Sequence, residues 1–196
     1  MANAPGDKER EAFELYVRLR DEGRAVELVD GEVVEKAMPS PEHGSAQTKL
    51  SEALGPWNRR AGGPRGPGGW WLMNEVDLRY PRSRQIFRHD AIGFRREVHP
   101  ERPKGMPVDA RPDWVCEILS PTNARMDIVK KQRALHAEGV PYYWLLDPER
   151  ELLIVLRWSE PGYHQLLTAE IGERVRAEPF DAIEISMNEL FGRDDE

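Results

Sequence analysis

Two carboxylates interrupt apolar runs that read as strands. Glu117 lies in WVCEILS, a short, mostly apolar stretch with the pattern of a central strand. Strand alternation puts Val115, Glu117 and Leu119 on one face and Trp114, Cys116 and Ile118 on the other. A carboxylate in such a strand is costly unless it is paired or bound to a metal. A strand-end Glu bridged to an Arg is the plainer alternative. Asp90 breaks the pattern of IFRHDAIGF in the same way, and a turn or edge Asp is its plainer alternative. Two carboxylates on neighbouring strands can hold a hard cation such as Mg²⁺, which prefers oxygen ligands and keeps several waters. Such a site can activate a water and neutralise a phosphate.

Lys131 is the third group. On a helix with about 100° per residue, Ile128, Val129 and Leu135 mark the apolar side. Lys131 borders that side next to Leu135, whereas Lys130 points away. Its stem either snorkels along the core edge or brings a cation to the carboxylates, orienting water or stabilising developing charge. Glu32, just after Asp30-Gly31, is a further carboxylate that also reads as a surface strand residue; Glu35, Glu75 and Asp77 compete with it. His43, aligned with Gln47 and Leu50 in the first turn of a helix, either contacts substrate or packs on the core. Asp113 shapes the start of its strand, and Cys116 reads as a small core residue. The chain has no Gly-rich phosphate loop, no HExxH and no GxSxG.

The elements that must position these groups follow from pattern. Residues 8–20 form a helix with Asp7 at its N-cap. AVELVDGEVVEKA is a hairpin about Asp30-Gly31, where Gly tolerates positive φ. Ser40-Pro41 opens a helix with the apolar face Ala46, Leu50, Ala53, Leu54 and Trp57. Residues 61–69, AGGPRGPGG, are a loop. GWWLMNEVDLRY and QIFRHDAIGF are strands, 102–112 a loop and WVCEILS a central strand. Residues 125–138 are helical and stop at Gly139. YYWLLD and ELLIVLRW make a hairpin across Asp147-Pro148, GYHQLLT is a further strand, and Ser186 to Glu189 opens a last short helix. This order predicts an α/β (α+β) sheet with helices packed on it.

With 196 residues the chain fits one domain, residues 1–196. Its 35 acidic and 28 basic residues give a net charge of −7, which excludes a histone-like surface. Between Arg79 and Lys104, however, eight basic residues face three acidic ones (Asp90, Glu97 and Glu101), so that segment is locally positive. A single Cys excludes an internal disulfide and a Cys-based zinc cluster, and suits a reducing cytoplasm. No apolar run approaches the ~18–20 residues of a membrane helix. The expectation is a soluble, cytoplasmic protein with no membrane partner.

VELVDGEVVE, PSPEHG, DWVCEILSPTNARMD, KKQRALHAEGVPYYWLLDPE and PFDAIEISMNELFG resemble the Uma-two family of restriction-endonuclease-like proteins. The likeness runs from about Ala25 to Phe191. That family is similar to the PD-(D/E)XK nuclease superfamily. The resemblance implies a restriction-endonuclease-like mixed β-sheet core flanked by helices, with an N-terminal helix and β-hairpin. It also implies a metal-dependent endonuclease that hydrolyses phosphodiester bonds of nucleic acid, DNA before RNA, using Mg²⁺ or Mn²⁺. By that likeness Asp90 and Glu117 hold the metal, and Lys131 orients water or steadies charge. The superfamily's Lys two residues after the Glu is Leu119 here, so Lys131 on the following helix takes its place. Glu32 matches the Glu of the family's Asp-Gly-Glu hairpin. The chain departs from the family at His89, where Pro is usual, and at Leu135, where Tyr is common. A homodimer would suit cutting two strands. Two alternatives stand beside this reading: an inactive or regulatory nucleic-acid-binding module of the same fold, and a metal-dependent hydrolase of another phosphate ester.

Overall fold

Asp30 and Gly31 both take positive φ, 53° and 82°, the turn geometry that matches the twist of an antiparallel pair. They join β1 (Val26–Val29) to β2 (Glu32–Glu35). The computed structural model describes residues 5–60, 67–121 and 124–193; most of the Gly-Pro loop, 61–66, lies outside the described residues. Helix α1 (Pro5–Asp21) packs Tyr16 on Val26, Leu28 and Ile86. Because α1 already includes Pro5, Asp7 stands inside its first turn and not at the N-cap. A carboxylate there still complements the helix dipole. Helix α2 (Pro41–Leu54) starts as expected: the Ser40 hydroxyl accepts from the His43 N–H at 3.2 Å, and Pro41 opens the first turn.

Six longer strands follow: β3 (Trp70–Tyr80), β4 (Gln85–Arg95), β5 (Trp114–Ile118), β6 (Tyr142–Asp147), β7 (Leu152–Arg157) and β8 (His164–Glu170). The sheet order is β2-β1-β4-β5-β6-β7-β8, with β3 also paired to β4. Among the named strands of the described residues, β5 and β6 are the parallel pair, and α3 (Gln132–Glu138) lies in the crossover between them, as a parallel pair requires. A two-residue pair, β9 (Arg174–Val175) with β10 (Ile185–Ser186), leads into α4 (Met187–Leu190); the sequence pattern does not announce β9 or β10. The architecture is the mixed sheet flanked by helices that the sequence predicts. No helix among the described residues is long and apolar enough to cross a membrane.

The alternation of β5 is as read. Trp114, Cys116 and Ile118 join Trp57, Trp70, Trp144 and Phe180 in one core, under α2 and α4. Val115 and Leu119 join Phe87, Phe94, Leu135 and Tyr143 in the other, under α3. Gly93 of β4 faces the first of these cores. A Cβ there would stand 3.0 Å from the Trp70 ring and 3.2 Å from that of Trp114.

Three irregularities prepare the site. First, β3 lines β4 from Tyr80↔Gln85 to Trp70↔Arg95, so β1 and β5 must share the opposite edge of β4. The β1 pairing sits at Ile86 and that of β5 begins at Ala91; between them the sheet forks. Second, β3 and β4 change faces together. Val76, Leu78, Phe87 and His89 lie on one side with Met73, Trp71, Ile92 and Phe94, so the residue parity switches at Glu75 and Asp90. Glu75 takes φ 53° at that point, a conformation unusual for a non-glycine residue. Third, the segment predicted as regular helix is π-helical over Met126–Lys131, where the Gln132 N–H donates to the Asp127 carbonyl. The wider turn rotates the faces. Ile128, expected on the apolar side, is exposed, and Asp127 and Lys131 point inward. Single π turns are frequent at functional sites.

Candidate active site

The fork leaves backbone groups of β4 and β5 without ladder partners, and side chains supply them. Glu27 of β1 accepts the Arg88 N–H at 2.9 Å. Asp90 Oδ2 accepts the Ile118 N–H at 2.7 Å. Lys36 donates to the Arg88 carbonyl at 3.1 Å, and Gln47 of α2 to the Asp90 carbonyl at 2.8 Å. The carboxylates are thus fixed by the same bonds that complete the sheet.

Lys131 stands at the centre. Its Nζ lies 3.1 Å from Glu117 Oε1, 3.1 Å from Asp127 Oδ1 and 3.2 Å from Glu27 Oε1. All four residues are buried. Burial opposes its charge, but Glu117, Glu27 and Asp127 outweigh that and hold the Lys131 pKa well above its ordinary value. It is an ammonium ion. Burial pushes Glu117 up to about 8 and Asp127 up to about 7, against the pull of Lys131. Asp90 differs: burial would raise it, yet Lys36, Lys131 and the Ile118 N–H hold it below the ordinary carboxylate value.

Glu117 has a second buried neighbour, His89, hydrogen-bonded to Oε1 through Nδ1. On the other side of the ring, Nε2 lies 2.6 Å from the Tyr80 hydroxyl. Burial and then Lys131 hold the His89 pKa well below its usual value, while burial keeps Tyr80 protonated. A neutral imidazole that accepts from the Tyr80 O–H carries its proton on Nδ1 and donates it to Glu117. A departure from the family pattern thus becomes a Tyr80–His89–Glu117 relay of hydrogen bonds.

At the cleft mouth, Lys36 Nζ lies 2.6 Å from Asp90 Oδ1 and 3.3 Å from Glu75 Oε2. His43 Nε2 lies 3.4 Å from the same Asp90 oxygen but is off the line of a hydrogen bond and has no such partner. One donor atom each from His43, Glu75 and Asp90 falls within 4.8 Å of the others. The cleft has a volume of about 500 Å³, and Asp90, Glu117, Asp127, Lys36 and Lys131 all line it.

Of the residues singled out from sequence, Asp90, Glu117 and Lys131 meet in this cleft. Glu32 does not. It is exposed at the start of β2, paired with Val29, and lines a different cleft beside α1. The hairpin carboxylate that reaches the cluster is Glu27. Asp77 is taken by Tyr16 (2.7 Å) and Arg88 (2.6 Å), Glu35 pairs with Arg24, and Asp113 binds Arg95 at the start of β5. Cys116 is buried on the opposite face. Glu27, Lys36 and Asp127 carry no sequence signal of their own: the fork and the π turn that aim them are tertiary features.

The basic segment is less positive than its composition. Arg79 pairs with Asp109, Arg84 with Glu9, Arg88 with Asp77 and Arg95 with Asp113. Arg96 stacks on Trp71 at 3.4 Å and, with Arg102 and Lys104, lines a second cleft of about 940 Å³ at the far end of β3 and β4.

A crystal structure of a putative nuclease belonging to DUF820 from Anabaena variabilis ATCC 29413 has the same fold. It is 19% identical, with a TM-score of 0.67, and the match covers 90% of this chain and 94% of that one. Comparison with curated proteins gives no match. The model of the Uma2 family, described as "Putative restriction endonuclease", matches residues 11–188. That span takes in the greater part of α1, the hairpin, the forked sheet and every residue of the cleft, and the chain belongs to this family.

Proposed function

We propose that this chain is a metal-dependent endonuclease that hydrolyses phosphodiester bonds in nucleic acid, DNA first. The observation that carries the reading is the convergence of Asp90, Glu117 and Asp127 with two ammonium groups on one cleft, where Glu27 holds one of those ammonium groups, Lys131. The donor chemistry fits a hard or borderline divalent cation, since carboxylate oxygens face the cleft and a buried imidazole nitrogen beside them lacks a hydrogen bond. Asp90 and Glu117 would hold Mg²⁺ or Mn²⁺. When bound, such an ion supplies charge neutralisation on a phosphate and activation of water.

The chain's own groups do the rest. Lys131, pinned by three carboxylates, is held at the cleft wall as a fixed cation that stabilises developing negative charge. Glu27 fixes Lys131 and the β4 backbone together. Tyr80 and His89 set the direction of the Glu117 carboxylate. The Trp71–Arg96 cleft offers a stacking surface and positive charge along which a strand leaving the site can lie.

The test is cleavage of plasmid, single-stranded DNA and RNA with Mg²⁺, Mn²⁺ or chelator. Asp90→Asn and Glu117→Gln, which keep the side-chain shape and, at Asp90, an acceptor for the Ile118 N–H, are expected to lose about 10²-fold or more of metal-dependent cleavage while keeping the circular dichroism of the parent. Full activity in both variants overturns the assignment. Salt-sensitive binding that ignores chelator, without cleavage of any substrate, favours the binding-module alternative.

A further inference from the structure

Lys36 occupies an arrangement of acceptors that suits a metal ion as well as an ammonium. Its Nζ is surrounded by Asp90 Oδ1 at 2.6 Å, the Arg88 carbonyl at 3.1 Å, and Glu75 Oε2 and Oε1 at 3.3 and 3.5 Å. All four are oxygens, and three of them belong to two carboxylates. Glu75 reaches this place because β3 takes positive φ there, so local backbone strain is spent on aiming that side chain.

His43 is the independent observation. Its side chain is 9% exposed, and among the described residues the buried Nε2 has no hydrogen-bond partner, although an Asp90 oxygen stands 3.4 Å away. A buried polar atom in that condition is costly. Two donors bound to one cation at about 2.1–2.2 Å stand roughly 3.0–3.5 Å apart when the angle between them is near a right angle or somewhat wider. The His43–Asp90 separation fits two ligands of one ion better than it fits a hydrogen bond.

We propose that the Lys36 ammonium is a built-in occupant of this cation site, and that a divalent ion displaces it and takes His43 Nε2 as a ligand beside Asp90 and Glu75. The proposal rests on the metal-dependent reading and extends it to ion preference. No covalent bond forms or breaks: the protonated Lys36 gives up its contacts to Asp90, Glu75 and the Arg88 carbonyl and swings out toward solvent as the divalent ion takes its place. A nitrogen ligand favours first-row transition ions over Mg²⁺, so Mn²⁺ is expected to bind more tightly than Mg²⁺.

Titration calorimetry with Mn²⁺ and Mg²⁺, on the parent, Lys36→Met, Lys36→Arg and His43→Ala, tests it. Removing the competing ammonium in Lys36→Met is expected to tighten Mn²⁺ binding about tenfold, or 1.4 kcal/mol. Lys36→Arg, whose guanidinium is bulkier and permanently charged, is expected to weaken it. His43→Ala is expected to lose about 10–100-fold for Mn²⁺ and to erase the preference over Mg²⁺. Electron spin echo measurements on the parent with Mn²⁺ should show coupling to an imidazole nitrogen that His43→Ala abolishes; this readout stands even if Lys36→Met does not fold. Unchanged Mn²⁺ affinity in both Lys36 variants, or Mn²⁺ bound without nitrogen coupling, overturns the proposal and leaves the endonuclease reading intact. Absence of metal binding in every variant, with and without a DNA oligonucleotide, overturns both.

Discussion

Lys131 and Lys36 are both ammonium ions held by carboxylates, and they are held differently. Lys131 is buried at the cleft wall, with Glu27, Glu117 and Asp127 all within 3.2 Å and the Phe87 ring 5.8 Å away. Lys36 sits at the cleft mouth, with one short contact to Asp90 and longer ones to Glu75. Removing one partner from an enclosed charge network strands the others in low dielectric, whereas water can replace a cation at a cleft mouth. The deep lysine belongs to the framework; the outer one is exchangeable.

The widest separation between the two is expected in stability. Lys131→Met should cost about 3–5 kcal/mol and Lys36→Met, which loses one short charged hydrogen bond to Asp90, about 1.5–3 kcal/mol, read from urea midpoints without metal. Saturating Mn²⁺ should recover the loss in Lys36→Met and not in Lys131→Met. Equal losses would erase the distinction.

The relay behind Glu117 gives the next effect. Tyr80→Phe removes the hydroxyl on His89 Nε2 and leaves a buried acceptor unpaired, at about 1–3 kcal/mol. A loss below ~0.5 kcal/mol would mean that His89 is held by packing alone.

The deep knot also carries a pH signature. In the metal-free fold burial pushes Glu117 up to about 8 and Asp127 up to about 7, from ordinary values of 4.5 and 3.8. Between those limits the folded state binds more protons than the unfolded one. Their contribution is therefore fully present below the ordinary values and is lost as pH rises toward 8. Metal-free stability, measured by urea denaturation at constant ionic strength, should decline from pH 5 to 8, and Glu117→Gln should flatten the decline. Asp90, held low, acts in the opposite sense and at more acidic pH.

The smallest effect separates two glutamates of one hairpin. Glu32→Ala is expected to move stability by no more than about 0.5 kcal/mol and to leave metal binding unchanged. Glu27→Ala releases both the Arg88 N–H and Lys131 and should do neither. A loss of metal binding in Glu32→Ala alone would restore the sequence-based choice.

That choice shows where sequence reading stops. Asp90 and Glu117 were legible because a charge inside an apolar strand needs an explanation, and the Asp30-Gly31 turn and Ser40 cap because local chemistry dictates them. Glu27 was not, since in VELVDGEVVE it alternates like a surface residue and only the fork of β4 turns it inward. Lys131 was placed at the border of an assumed α-helical stripe. The π turn moved it, with Asp127, to the centre and sent Ile128 to the surface. Local patterns report strand and helix faces; they do not report where two strands divide one edge of a third.

The bonds by which Glu27 and Asp90 complete the sheet also bear on descent. A lineage that gave up turnover would remain under selection to keep both residues, because the backbone N–H groups of Arg88 and Ile118 depend on them. In this fold Glu27 and Asp90 serve the architecture as well as any chemistry, so their presence alone does not testify to turnover.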